Sequence, residues 1–154
     1  KEFSDWAEKG EQYKSELLKL VDADTAAFNN IMIAFALLKT FSLYYAKRTD
    51  AIQQATKYAI EIPFKVMETA YASMEVIKAM VTDGNPNSIT DAGVGALCAR
   101  AAVMGAFMNV KINTASYNDK TFTAAVLTKG KTIEDKTIAM EAEIISMVNE
   151  KMGV

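Results

Sequence analysis

The sequence predicts an all-α protein: a bundle of about five long helices, one kinked near Pro63 and one a central helix of small residues. Three observations predict it. Apolar residues recur at three- and four-residue spacing along almost the whole chain, the mark of helices with one buried face. No stretch alternates apolar and polar long enough to argue for a strand. The 2 prolines and 7 glycines fall mainly at breaks or on the small-residue helix. A length of 154 residues suits one domain with a full core.

The elements follow in order. Phe3, Trp6, Tyr13, Leu17, Leu20 and Val21 mark a first amphipathic segment, weakened at Gly10. Asp22-Ala23-Asp24-Thr25 offers a cap or kink before a second segment carrying Phe28, Ile31, Met32, Phe35 and Leu38. Lys39 to Thr49 gives the weakest signal. Thr49 and Asp50 can cap a long third segment running to about Met80, which Pro63 should kink. Asp83-Gly84-Asn85-Pro86-Asn87 is turn chemistry throughout. The small-residue helix follows, then a break at Ser116 to Asp119. A last segment from about Lys120 to Met152 carries Ile133, Met140, Ile144, Met147 and Val148.

Gly84 to Asn113, GNPNSITDAGVGALCARAAVMGAFMNVKIN, is the informative stretch. At about 100° per residue, Asp91, Gly95, Cys98, Ala102, Gly105, Asn109 and Asn113 share one face. Gly inside a helix costs roughly 1 kcal/mol relative to Ala, so a face this bare expects close approach. A packing seam between helices accounts for it without a ligand; a seam that also walls a site is the sharper reading. Ser88 as N-cap with Asp91 three residues on forms a capping-box-like pattern, a sufficient structural reason for Asp91. A carboxylate there is also stabilised by the helix dipole, which suits an anion that binds a cation or orients water.

Composition narrows the chemistry. Hydrophobic residues make up 51%, too many for a disordered tail. Net charge is −2 with no Lys/Arg block, which disfavours nucleic-acid binding. With 1 Cys there is no internal disulfide framework, and with no His the commonest acid/base group and zinc ligand is missing. Acid/base work falls to carboxylates, Lys, Tyr, Cys or bound water, and no metal site is expected. The longest uninterrupted apolar run, Ile31 to Leu38, falls well short of the 18 or so residues of a membrane span, so no membrane partner is expected. The start at Lys1, directly in helical pattern, suits a processed product or a fragment.

Two motifs are decoys. Gly93-Val94-Gly95-Ala96-Leu97-Cys98 lacks the third Gly and the preceding strand of a dinucleotide fingerprint, and Ala125 to Thr132 lacks the first Gly and the strand of a P-loop. Cys98 has no His partner for nucleophilic chemistry.

GNPNSITDAGVGA followed by AAVMGAFMNVKIN resembles the cyclodeaminase/cyclohydrolase family of folate enzymes, whose best-known member is the formiminotetrahydrofolate cyclodeaminase domain. Asp22 to Phe28 and Ala59 to Ala70 around Pro63 fit the same family, so the resemblance covers nearly all of the chain. Two departures stand out: the family's Gly-rich, Ser-containing N-terminal helix would precede this chain, and Leu37-Leu38 stands where the family often has Leu-Pro. The resemblance implies a single cyclodeaminase-like helical domain over residues 1–154, lacking its N-terminal helix segment, and an obligate homodimer or larger homo-oligomer. It implies a tetrahydrofolate derivative as substrate, with closure of the 5-formimino group to the 5,10-methenyl form and release of ammonia, in the cytoplasm, as in histidine degradation. A methenyltetrahydrofolate cyclohydrolase is the nearest enzymatic alternative, and a non-catalytic helical dimer or scaffold the alternative of another class. By the same resemblance Asp91 is the catalytic candidate, and Asp24, Asn85, Asn109 and Asn113 are the substrate-binding candidates.

A distance constrains that site. Asp91 and Asn109 lie 18 residues apart, about 27 Å along a continuous helix. They share a face but cannot reach the same small ring from one chain. An isologous dimer along the seam would bring Asn109 of one chain towards Asp91 of another.

Overall fold

The computed structural model describes residues 2–37 and 42–153. Four helices account for nearly all of them, with no strand among the described residues: α1 (Glu2–Ala36), α2 (Ser42–Asp83), α3 (Ile89–Thr114) and α4 (Lys120–Met152), plus one 3₁₀ turn at Pro86–Ser88. The helix count is four rather than five because the first two expected segments are one. At the expected kink the Thr25 hydroxyl donates to the Val21 carbonyl four residues back (3.2 Å), and α1 runs on unbroken. Thr49 does the same to Tyr45 (3.0 Å), so α2 has already begun and Thr49 is no cap. Of the weak stretch 39–49, residues 39–41 lie outside the described residues, as does Leu38.

α2 is the spine. α1 packs along it in the opposite direction, joined near the ends by Lys9 Nζ–Glu75 Oε2 (2.8 Å). α3 returns antiparallel to α2 and α4 antiparallel to α3, so α4 runs parallel to α2, tied by Lys78 Nζ–Glu143 Oε1 (2.6 Å). Two clusters fill the interior. Ile60, Met67, Val103, Phe107, Val110 and Val126 form one; Met74, Val81, Ala96, Ala99, Ile144 and Val148 form the other, nearer the α2–α3 turn. Fully burying a Val, Ile, Met or Phe side chain is worth about 1.5–3 kcal/mol.

Pro63 is buried within α2, and the 42-residue helix continues through it. A proline has no N–H for the carbonyl four residues earlier, which here belongs to Ala59. That carbonyl instead receives the Asn113 Nδ2 donor of α3 at 2.7 Å.

α3 turns a different face inward from the one its small residues suggest. Gly93, Ala96, Ala99, Val103, Ala106, Phe107, Val110 and Thr114 are buried. Of the expected seam, Gly95 meets α2, where a Cβ would sit 3.6 Å from Ile77 Cδ1. Cys98, Ala102, Gly105 and Asn109 are exposed. Nothing lies within 4 Å of a Cβ built on Gly105. The physical reason is that α3 is apolar nearly all round. Val103, Phe107 and Val110 win the core by volume, which leaves the small residues, with Val94, Leu97, Met108 and Ile112, facing outward.

Pro86–Thr114 is long and apolar enough to cross a membrane, by length and composition, although no uninterrupted apolar run in it is. Its two cations pair with α4: Arg100 Nη1 meets Glu141 Oε2 at 3.0 Å, and Lys111 Nζ meets Glu134 Oε1 at 3.8 Å. α1 carries a second outward apolar row, Leu18, Val21, Phe28, Met32 and Phe35.

Candidate functional site

The turn out of α2 builds the first cavity. Gly84 closes it: its N–H donates to Met80 O at 3.0 Å, and a Cβ there would run into that same carbonyl, so only glycine fits. Asn85 follows as the cap of the 3₁₀ turn, its Oδ1 accepting from Asn87 N at 3.0 Å. Ser88 N–H donates to Asn85 O at 2.9 Å. That bond puts Ser88 inside the turn, at φ −108° and ψ 20°, rather than in the extended conformation of an N-cap. Its hydroxyl therefore makes no capping bond, and the expected capping box does not form.

The consequence is chemical. Ser88 Oγ and the Asp91 carboxylate are not used up by the helix start. Both line a cavity of about 410 Å³ with Asn85, Gly84, Ala92, Gly95 and the α2 side chains Val76, Ile77 and Met80. The walls are largely apolar and the polar groups converge at one edge, the usual character of a small-molecule site. Asp91 sits in the first turn of α3, where the helix dipole favours its negative charge.

Asp24, Asn109 and Asn113 come together elsewhere, in a cavity of about 170 Å³ with Ala27, Phe28, Ile31 and Ala59. Asp24 and Asn109 also border a larger adjoining groove of about 480 Å³ lined by Leu17, Leu20, Val21, Pro63, Val66 and Ala102. The structure thus gathers the five candidate residues into two groups, Asn85 with Asp91 and Asp24 with Asn109 and Asn113. Within one chain it does not bring the groups together, as the 18-residue separation along α3 requires. Asn113 has one of its functions accounted for, since its Nδ2 satisfies Ala59; its Oδ1 is left for the cavity.

The sequence reading missed Ser88 as a lining residue, because a serine at a helix start has a ready structural role. It also missed the α2 wall of Val76, Ile77 and Met80, since apolar residues on a long helix carry no signal that distinguishes a cavity wall from core. Among the described residues no group of three or more His, Cys, Asp or Glu side chains is placed to hold a metal ion.

Comparison with known proteins sets this geometry in a family. The chain is 28% identical over 146 residues to methenyltetrahydrofolate cyclohydrolase of Methylorubrum extorquens, covering 95% of this chain and 70% of that one. It is 35% identical over 111 residues to formimidoyltransferase-cyclodeaminase of Gallus gallus, covering 72% of this chain but only 20% of that protein. The chain thus spans about a fifth of the Gallus gallus relative's length. The crystal structure of formiminotetrahydrofolate cyclodeaminase from Thermotoga maritima has the same fold, with a TM-score of 0.78 over 91% of this chain and 66% of that one, at 22% identity. Residues 1–132 match the family described as formiminotransferase-cyclodeaminase. Chain coverage and fold agree: the protein belongs to the formiminotransferase-cyclodeaminase family of folate one-carbon enzymes.

Proposed function

We propose that the protein is a cyclodeaminase, converting 5-formiminotetrahydrofolate to 5,10-methenyltetrahydrofolate with release of ammonia, and that Asp91 is its catalytic carboxylate. The observation that carries this reading is the Asp91 cavity: a carboxylate with no hydrogen-bond or ion-pair partner among the described residues, at the polar edge of an otherwise apolar slot. The attacking nitrogen is already part of the substrate. It adds to the formimino carbon, and the C–N bond to the departing amine breaks as that amine takes up a proton. The protein has to fix this geometry, stabilise positive charge on the amidinium carbon, and deliver the proton. A carboxylate beside the reacting carbon meets the second demand and can relay a proton for the third. Val76, Ile77 and Met80 offer an apolar face for the ring system, and the Ser88 hydroxyl and Asn85 amide can hydrogen-bond its edge.

The second reading is hydrolysis of the methenyl ring, with Asp91 orienting the attacking water. It is favoured by one observation: the Methylorubrum extorquens relative, which is named for that activity, is matched over 70% of its own length. Incubation with each folate separates the two. Ammonia release with a rising methenyl chromophore supports the cyclodeaminase, loss of the chromophore from methenyltetrahydrofolate supports the hydrolase, and silence on both leaves a non-catalytic scaffold.

We infer further that the working unit is an isologous dimer along the outward face of α3. Val94, Leu97, Met108 and Ile112 are exposed there, with Cys98, Ala101, Ala102 and Gly105 between them. A two-fold axis near residue 100 would run two α3 helices antiparallel and set Asn109 of one protomer beside Asp91 of its partner. The small residues at the crossing allow that close approach. Light scattering tests the assembly: a mass of one 16.8 kDa chain at working concentration would refute it.

A further inference from the structure

We propose that Lys151 is a positioning residue for the Asp91 cavity, holding the α2 end against α4 so that the turn carrying Asn85, Ser88 and Asp91 keeps its place. The inference rests on the folate reading of that cavity and adds a residue beyond the family match, which ends at residue 132. A helix end leaves its last carbonyls without intrahelical partners. In α2 these include Met80, which itself lines the cavity, with Val81 and Thr82 beside it. Gly84 N–H takes Met80 O, and the Lys151 ammonium takes the other two, donating to Val81 O at 2.5 Å and Thr82 O at 3.0 Å. A cation there also meets the negative end of the α2 dipole.

The same last turns of α4 also reach α3. Val148 is buried against Gly93 of α3, where a Cβ would lie 3.5 Å from Val148 Cγ1. The end of α4 therefore touches both helices whose spacing sets the cavity: α2 through Lys151 and α3 through Val148. Lys151 is itself placed by the α4 terminus, which Gly153 closes in the left-handed conformation at φ 78°. The contrast is Lys78, which also joins α2 to α4, through the Glu143 carboxylate. That pair is half exposed and links side chain to side chain, so it ties the helices without holding the backbone of the turn.

Without the ammonium, two carbonyls at the end of α2 have only water to bond, and the turn loses its anchor to α4. A shift of about 1 Å in a reacting group can cost roughly a hundredfold in rate. The test compares Lys151→Met, Lys151→Arg and Lys78→Met in the whole chain. It reads kcat and KM on the folate substrate, the thermal midpoint, and amide hydrogen exchange over residues 84–91. The expected result for Lys151→Met is exchange faster by roughly tenfold or more in that segment and a kcat loss of similar size, larger than the change in KM. Lys151→Arg, which keeps two donors on a cation, should restore most of both, and Lys78→Met should leave both unchanged. Wild-type exchange and kcat in Lys151→Met would overturn the proposal, as would an equal effect from Lys78→Met. Exchange decides the role of Lys151 without reference to turnover. A wild-type chain silent on both folates would therefore sink the folate reading alone.

Discussion

Replacing Asn113 with alanine should destabilise the chain through a carbonyl 54 residues away. Asn113 Nδ2 is the donor that meets Ala59 O at 2.7 Å, and that carbonyl lacks its own helical partner because residue 63 is proline. Ala59 is 6% exposed, so water is a poor substitute. Leaving a buried carbonyl unpaired costs about 1–3 kcal/mol. For a domain of this length that corresponds to a fall of roughly 3–10 °C in thermal midpoint. The decisive experiment is a double-mutant cycle with Pro63→Ala. That change restores an N–H at position 63, which can bond Ala59 O within the helix. In that background Asn113→Ala should cost roughly 0.5 kcal/mol or less, giving a coupling of about 1–2 kcal/mol. Urea melts of the four proteins, followed by circular dichroism, measure it. Additivity within about 0.5 kcal/mol would refute the claim that Asn113 answers for the missing proline donor.

Other perturbations test the site and the packing. Asp91→Asn should remove most turnover while helix content is kept; near-wild-type turnover would rule out a catalytic role. Gly95→Leu should fill the Asp91 cavity from the α3 side, since Ile77 already stands in van der Waals contact with the position of a Cβ. Folate-analogue affinity should fall more than the thermal midpoint does, and retained affinity would place the ligand elsewhere. Gly130→Ala would press a methyl into the Phe107 ring, which is 2% exposed and enclosed by the core. A loss of about 1–3 kcal/mol is expected, and an unchanged urea midpoint would show that the ring can move aside.

How much of this could be read from the sequence depended on whether the deciding interaction was local. The helices could be read because spacing is local, and so could the turn at Gly84, because only glycine tolerates the Met80 carbonyl there. The continuity of α1 and α2 could not: Thr25 and Thr49 look like caps, and whether a threonine hydroxyl bonds forward or back four residues depends on the packing of the helix. The buried face of α3 was illegible for another reason. Apolar residues surround that helix, so periodicity cannot choose among its faces; the choice falls to Val103, Phe107 and Val110 fitting between α2 and α4. Asn113 was read from the family resemblance as a binding residue. Its backbone role was announced by Pro63, but the partner of the orphaned carbonyl lies on another helix and no sequence spacing points to it.

The two groups of candidate residues pose a question that one chain does not answer. Asp91 with Asn85 and Ser88 has an apolar slot and an unspent carboxylate; Asp24 with Asn109 and Asn113 has a smaller cavity richer in hydrogen-bonding groups, opening beside a larger groove. A folate is long, with a ring edge rich in donors and acceptors at one end and the reacting nitrogens near the middle. Two half-sites of unlike chemistry suit such a ligand only if they face each other. The small, outward residues of α3 leave room for the proposed antiparallel pairing, and the proposed contact between Asp91 and a partner's Asn109 sets its register. If Asp91 meets Asn109 of a partner, the numbers of paired positions sum to about 200, and Cys98 lies opposite position 102. Ala102→Cys should then form an intermolecular disulfide with the native Cys98 under mild oxidation, because helices crossing at such small residues bring these positions within bridging distance. A chain that is dimeric by light scattering but forms no such bond would pair through another surface, such as the apolar row of α1, and the two half-sites would then belong to different ligands.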